Sequence, residues 1–265
     1  NNQKDAGLIL FFISEVKSTD TFVAWAAACS LHGTTLRPIM GRVNLNPKYL
    51  SNEKKKFFDQ FATVLHEVIH VMGFSQSLYP YFIDSQYKRV PISETILTKG
   101  SGSYPNRVKT ERVLNYAKNY FGCDSLDGIP LEDQGGSGSA GSHWEKVLLG
   151  NEIMVANTVA NPVVSMFTLL FLEDSGWYQI DYRSEEPFFW AKKAGCGVLE
   201  DSNKCPIHGT PCEKKGEEGC FYDYTFQAEC TTDNFSNSCK FFTSTDFNKH
   251  DCRSEDNYHQ NEKGL

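Results

Sequence analysis

Two histidines and a glutamate fall within five residues of one another, in the order His66-Glu67-Val68-Ile69-His70. In an α-helix the residues at positions i and i+4 lie on one face, so both imidazoles can bind the same metal ion. Glu67 is next to His66 and can hydrogen-bond a metal-bound water without being a ligand itself. Metal-assisted hydrolysis requires this arrangement, because zinc lowers the pKa of its water to about 7 and the carboxylate accepts the proton.

The surrounding sequence predicts the helix that must position these residues. From Ser51, which we expect to be the N-cap, apolar residues recur with a helical period as far as Met72. Gly73 is predicted to end the helix and to turn the chain. The simplest alternative is a surface helix that carries the three polar residues by chance. Their apolar neighbours disfavour it, since they predict partial burial, and buried polar groups need partners such as a metal.

A third metal ligand is needed, because catalytic zinc usually has three protein ligands and a water. In the compact form of this motif a third histidine follows His70 by six residues, but position 76 is Gln76. Glu94 is one candidate, as a glutamate on a following helix, although Pro91 disfavours a helix there. His143 is the other candidate, because the small residues before it would let the backbone approach a metal closely. The residues alone leave both open.

Other segments predict the elements around this helix. Residues 7–14 form an apolar run that predicts a buried strand, residues 22–28 predict another short element, and residues 41–46 alternate as an edge or half-buried strand would. Further helices are predicted at 109–121 and 163–174. The glycine-rich stretch at 134–142 has the composition of a flexible linker and lacks the Gly-Lys-Ser/Thr ending of a phosphate-binding loop.

Length and composition limit the class of protein. A chain of 265 residues with 40% hydrophobic residues can form one good core and a second, smaller unit. A formal net charge of −7 provides no basic patch, so we expect no nucleic-acid partner. No apolar run approaches the roughly 18 residues that a membrane-spanning helix needs. We therefore expect any membrane association to depend on segments absent from this chain.

The nine cysteines are unevenly distributed, with only Cys29 and Cys123 in the first 195 residues. The remaining seven predict a disulfide framework, which persists in oxidising compartments and predicts an extracellular or cell-surface protein. The sequon Asn234-Phe235-Ser236 is consistent with export. A structural zinc module is the alternative, but the cysteine spacings lack a paired CxxC signature.

Several motifs together resemble those of the leishmanolysins, a family of metallopeptidases also called major surface proteases or invadolysins. They are HEVIHVMGF at 66–74, QGGSGSAGSHWE at 134–145, NEIM at 151–154, RPIMGRVNLNP at 37–47, YFGC at 120–123 and DSGWY at 174–178. The resemblance extends from about residue 7 to about residue 197. A chance match of all these motifs is remote.

This resemblance implies an α+β fold, in which a metzincin-like catalytic domain precedes a cysteine-rich, disulfide-stapled region. The catalytic domain would combine a mixed sheet, an active-site helix and a zinc ion at the cleft. Carried over residue by residue, the resemblance implies that His66, His70 and His143 bind one Zn²⁺ per chain. It makes Glu67 the catalytic base and Met154 the residue of a Met-turn below the metal.

We expect three segments along the chain. Residues 1–74 would be an incomplete amino-terminal catalytic subdomain ending in the active-site helix. Residues 75–195 would hold an insertion, the third zinc ligand and the Met-turn, and residues 196–265 a truncated cysteine-rich region. The boundary near 195 follows the change in cysteine content.

The function predicted from these observations is that of a zinc-dependent endopeptidase acting on proteins or peptides. An extended substrate would bind along the cleft edge by β-augmentation. The resemblance to the leishmanolysins implies that apolar side chains are favoured next to the cut. Two alternatives remain open at this point. One is a thermolysin-like hydrolase with Glu94 as third ligand, and the other is a catalytically inactive secreted adhesion or binding protein on the same fold.

Overall fold

Groups of strands and groups of helices follow one another along the chain in a mixed α+β fold, as the sequence predicts. The computed structural model describes residues 6–17, 19–98, 102–205, 212–243 and 251–252. The strands are β1 (Ile9–Ile13), β2 (Ala24–Leu31), β3 (Pro38–Leu45), β4 (Ile96–Thr98), β5 (Asn106–Val108), β6 (Ile129–Pro130), β7 (Glu218–Cys220), β8 (Gln227–Thr231) and β9 (Phe241–Thr243). The α-helices are α1 (Phe57–Met72), α2 (Ile92–Thr95), α3 (Glu111–Phe121), α4 (Lys146–Leu149), α5 (Met166–Asp174) and α6 (Gly197–Glu200).

The first three strands form a mixed sheet in the order β1-β3-β2, with β1 parallel and β2 antiparallel to β3. The prediction of a buried first strand is wrong, because β1 lies at an edge and exposes about half of Phe11 and Phe12. Of the two alternatives for residues 41–46, the edge strand is wrong, because they lie largely in the central strand β3. The half-buried strand agrees with the structure, since Arg42 is exposed and Val43 is fully buried. A short apolar run cannot distinguish an edge from a centre, because its neighbours come from elsewhere in the chain.

Helix α1 begins at Phe57, later than the predicted N-cap Ser51. Residues Lys54–Lys56 form a 3₁₀ turn instead, since adjacent positive charges are unfavourable at the N-terminus of a helix dipole. The side chain of Gln60 binds the backbone N–H and carbonyl of Ser51 at 2.8 and 2.9 Å. At the other end Gly73 is the C-cap, as predicted, and its N–H is bonded within the helix.

Helix α1 packs against strands β2 and β3. The approach is close because Gly41 of β3 has no side chain: a Cβ at this position would lie 2.2 Å from a methyl carbon of Val71. Val71 and Ile69 are buried together with Glu67. The sheet therefore fixes the position of the helix that carries the HEVIH motif.

Helices α3 and α5 pack against each other and form much of the core. They begin two and three residues later than the predicted 109 and 163, at Glu111 and Met166. At the end of α5, the Asp174 carboxylate accepts hydrogen bonds from the backbone N–H groups of Arg112 and Val113, at 3.0 and 3.2 Å. This contact caps the first turn of α3 from another element, which satisfies donors that no sequence-local residue reaches.

The cysteine-rich region contains a three-stranded antiparallel sheet in the order β7-β8-β9. The described disulfides are Cys205–Cys239, Cys212–Cys230 and Cys123–Cys196. The third of these joins the end of α3 to the start of α6. The predicted disulfide framework is therefore confirmed, and these six sulfurs are not available to a thiolate zinc module. Three disulfides fit an oxidising compartment.

One cluster of buried apolar side chains runs from Ile69 to Phe241. Trp144 lies within it, fully buried against Phe74 and Phe171. The predicted segment boundaries at 74 and 195 stay predictions. Within the described part of the chain, no helix has both the length and the apolar character needed to cross a membrane.

Candidate metal centre

Helix α1 presents His66 and His70 on one face. Their Nε2 atoms are 3.0 Å apart, as the i, i+4 spacing predicts. Nδ1 of His70 lies 2.6 Å from the carbonyl oxygen of Phe74, where the chain has turned back after Gly73. Nδ1 of His66 lies 2.6 Å from the carbonyl oxygen of Ile153.

His143 reaches the same point from a distant part of the chain. Its Nε2 lies 3.2 Å from Nε2 of His66 and 3.1 Å from Nε2 of His70. The loop before it is ordered, since residues Gly136–Gly138 form a 3₁₀ turn. Gly141 has a φ of 76°, which favours glycine, and a Cβ there would come within 3.4 Å of three atoms of Gln76. Composition alone indicated a flexible linker, whereas the structure gives this loop a fixed path.

The backbone determines the tautomer of each of the three imidazoles. A carbonyl oxygen lies at each Nδ1, the third being Ser139 O at 2.9 Å from His143. Because a carbonyl can only accept, each Nδ1 carries the proton and each Nε2 presents a lone pair. Burial also lowers the pKa of all three imidazoles, that of His143 to about 3. Three lone pairs therefore face one another at 3.0–3.2 Å with no proton between them.

A metal ion fits this arrangement better than any hydrogen bond. Nitrogens bound tetrahedrally to zinc at 2.0–2.1 Å are roughly 3.3–3.4 Å apart, a few tenths of an ångström more than the distances here. One ligand atom from each of His66, His70 and His143 can meet at a common ion. Neutral imidazoles are suitable ligands for zinc and for other transition metals.

Glu67 follows His66 on the same helix and adds a carboxylate to the motif. It is buried, with 6% of its surface exposed, and its Oε2 has no hydrogen-bond partner among the described residues. Burial raises the pKa of Glu67 to about 8. Desolvation thus favours the neutral acid here, and a nearby cation would favour the carboxylate.

The segment that follows His143 contains a backbone carbonyl that orients His66, and buried side chains fix that carbonyl. Met154 is fully buried, next to Ile153, whose carbonyl oxygen orients His66. Glu152 accepts hydrogen bonds from the backbone N–H of Met154 at 2.5 Å and from the hydroxyl of Ser165 at 2.8 Å. These contacts hold the carbonyl of Ile153 in place.

The other candidate ligand, Glu94, does not join this group. It lies exposed on the four-residue helix α2, and the histidine group contains no carboxylate. Sequence reasoning missed the three orienting carbonyls, of Phe74, Ser139 and Ile153, because backbone atoms leave no side-chain signal. The sequence points to Glu152 only through the motif NEIM at 151–154, as part of the resemblance.

Comparison with known proteins gives a consistent result. The family model described as leishmanolysin matches residues 3–249. A leishmanolysin-like peptidase of Caenorhabditis elegans is 37% identical over 232 residues, covering 76% of this chain and 34% of that protein. One of Drosophila melanogaster is 33% identical over 242 residues, covering 77% of this chain and 35% of that protein. Leishmanolysin of Leishmania major is 29% identical over 198 residues, covering 74% of this chain and 30% of that protein.

The chain spans about a third of the length of these curated relatives. The family match nevertheless covers most of this chain, including the histidine group and the cysteine-rich region as far as residue 249. With these matches and the motifs at 66–74, 134–145 and 151–154, the chain belongs to the leishmanolysin family.

Proposed function

We propose that the chain carries the catalytic centre of a zinc-dependent endopeptidase of the metzincin type, with one Zn²⁺ held by His66, His70 and His143. The convergence of three Nε2 lone pairs at 3.0–3.2 Å is the observation that supports this most directly. Three protein ligands and an open position are the usual donor set of catalytic zinc. Leishmanolysin family membership supports a zinc metallopeptidase in general.

Glu67 is the proposed general base. Zinc bound at the histidines would lower the pKa of a water molecule and polarise the scissile carbonyl. The Glu67 carboxylate, whose Oε2 is unpartnered among the described residues, would accept a proton from the attacking water. It would then transfer the proton to the nitrogen of the leaving amine as the C–N bond breaks. Met154 would pack beneath the centre and take no part in proton transfer.

An edge strand supports the proposed mode of substrate binding. Strand β2 lies at one edge of the sheet and packs against α1, the helix that carries the base. An extended substrate would pair with this edge through main-chain hydrogen bonds. The proposed substrates are proteins or peptides, and the proposed location is extracellular or at the cell surface, as the disulfides favour.

A largely apolar cavity of about 420 Å³ lies beside the loop that carries His143. Gln76 and Gly141 are among the residues that line it, and its apolar lining includes Ile92, Ile96 and Leu97. We expect it to receive an apolar side chain of the substrate next to the cut. Two peptides that differ only in carrying Leu or Asp after the scissile bond test this. The Leu peptide should be cleaved at least tenfold faster. Equal rates would show that the cavity does not bind this side chain of the substrate.

The Glu67→Gln variant tests the catalytic role. The amide has the same size but cannot accept a proton, so kcat/KM for a peptide should fall by about 10²–10⁴ while zinc content stays unchanged. Glu94→Gln is the matched control, because that carboxylate is exposed, and it should keep both activity and zinc. Wild-type activity in Glu67→Gln would refute the assignment. A zinc-loaded wild type without chelator-sensitive cleavage would favour the inactive binding protein instead.

A further inference from the structure

A second group of potential metal ligands lies close to the segment that carries His143. One carboxylate oxygen from each of Glu132, Asp133 and Glu145 lies within 4.8 Å of the other two. Backbone pairing brings them together, because Glu132 N–H donates to His143 O at 3.0 Å and Glu145 N–H donates to Pro130 O at 3.2 Å. We refer to the three carboxylates as the acidic cluster. Glu132 and Glu145 are 1% and 0% exposed, whereas Asp133 reaches solvent.

The described residues supply no positive charge to the acidic cluster. None of the ion pairs between them includes Glu132, Asp133 or Glu145. The adjacent lysine, Lys146, directs its ammonium group to Asp233. Buried carboxylates of like charge repel one another, and each loses its hydration, so as anions they require a compensating cation.

Glu145 provides a second, independent observation. Its Oε2 is fully buried and has no hydrogen-bond partner among the described residues. The other oxygen, Oε1, accepts a hydrogen bond from the side-chain amide of Asn237 at 3.1 Å. Oε2 is therefore the oxygen of Glu145 that a bound cation could satisfy without displacing Asn237. A buried acceptor without a donor is costly, and a cation would satisfy it.

We propose that Glu132, Asp133 and Glu145 bind a calcium ion. Ca²⁺ takes carboxylate oxygens at 2.3–2.6 Å, so two oxygens on one ion are at most about 5 Å apart. The 4.8 Å limit of the acidic cluster lies within this span. Mg²⁺ demands near-ideal octahedral geometry and usually keeps several waters with only one or two carboxylates, so three protein carboxylates at one point favour Ca²⁺. Oxygen ligands without histidine or thiolate also disfavour zinc at this place.

A polar cavity lies beside the acidic cluster. Gln134, directly after Asp133, lines a polar cavity of about 650 Å³ together with Asn237. Asn237 belongs to the cysteine-rich region and bonds both Glu145 and Gln134. A calcium ion here would connect three parts of the chain. They are the residues after β6, the segment after His143 and, through Asn237, the cysteine-rich region. It would stabilise the segment that carries the third histidine without being part of the zinc centre.

Calcium binding to the zinc-loaded chain tests this directly. Equilibrium dialysis against CaCl₂ from about 10⁻⁵ to 10⁻² M brackets the affinities of extracellular calcium modules. Bound calcium and zinc are measured by mass spectrometry, and the midpoint of thermal unfolding is measured with and without CaCl₂. We expect one calcium per chain, a higher midpoint with calcium and unchanged zinc.

Two variants and a control decide the location of the ion. Asp133→Asn and Glu145→Gln should each weaken calcium binding at least tenfold, and Asp133→Asn should fold normally because Asp133 is exposed. The control Asp124→Asn removes a carboxylate that is also exposed, and it should bind calcium like the wild type. The proposal is overturned by a wild type that binds no calcium, by wild-type affinity in Asp133→Asn, or by equal competition from MgCl₂.

Discussion

The side chains of the metal centre are oriented mainly by backbone carbonyl groups. The oxygens of Phe74, Ser139 and Ile153 each accept from one imidazole Nδ1, so every Nε2 lone pair is directed to the common point. Such second partners fix both tautomer and ring orientation. The sequence could therefore reveal His66 and His70 by their spacing, whereas the atoms that orient them became visible only in the fold.

Glu152 is the residue whose loss should disturb this orientation most. Its carboxylate is fully buried and accepts from Met154 N–H and from the hydroxyls of Ser165 and Thr168, at 2.5, 2.8 and 2.5 Å. Burial raises the pKa of Glu152 to about 7, although these donors favour the anion. Glu152→Ala would leave these donors, and the backbone N–H of Ser165, without their acceptor and would open a cavity. We expect the free energy of unfolding to fall by about 3 kcal/mol or more.

Denaturant unfolding of the zinc-free chain measures that loss. Glu152→Gln should cost less, because an amide oxygen can still accept from Met154 N–H. Glu218→Ala serves as control, since Glu218 is exposed and its loss should change stability by less than about 0.5 kcal/mol. A Glu152→Ala variant as stable as this control would show that the carboxylate does not hold the turn.

At the scale of elements, the sequence predicted α1 well because its apolar period is long and uninterrupted. The start was wrong, since the 3₁₀ turn Lys54–Lys56 depends on charge repulsion and on the side chain of Gln60. The conformation of the loop at 134–142 could not be predicted from its composition. Its glycines have the composition of a linker, but Gly135 and Gly141 supply positive φ angles in a fixed turn, and composition cannot distinguish these two uses.

Contact between α1 and β3 should depend on Gly41. A Cβ at Gly41 would lie 2.2 Å from a methyl carbon of Val71, so Gly41→Ala must push the helix away from the sheet. We expect a loss of about 1–3 kcal/mol in the free energy of unfolding, as overpacking typically causes. Zinc affinity should fall with it, because His66 and His70 move with the helix while His143 does not.

Gly33→Ala is the matched control for this prediction. A Cβ at Gly33 meets nothing within 4 Å, so the same substitution there should leave stability and zinc affinity close to wild type. Thermal unfolding and a competitive zinc titration measure both quantities. Equal behaviour of the two alanine variants would mean that the close approach of helix and sheet has no energetic importance.

For the molecule as a whole, the sequence indicated an α+β fold and a disulfide framework but not the disulfide pairing. The described partners are 73, 34 and 18 residues apart, and spacing alone does not select them. The same limit applies to the metal centre. His70 and His143 are 73 residues apart along the chain and 3.1 Å apart at Nε2, so the residues alone left His143 and Glu94 open.

The central claim is that the fold brings His143 to the two helix histidines as the third zinc ligand. The most direct test is the zinc content of the wild type, His143→Ala and Glu94→Ala, measured by mass spectrometry on proteins whose folding is checked by circular dichroism. We expect one zinc per chain in the wild type and in Glu94→Ala, and its loss from folded His143→Ala. Full retention of zinc by His143→Ala, or a folded wild type without zinc, would contradict the account.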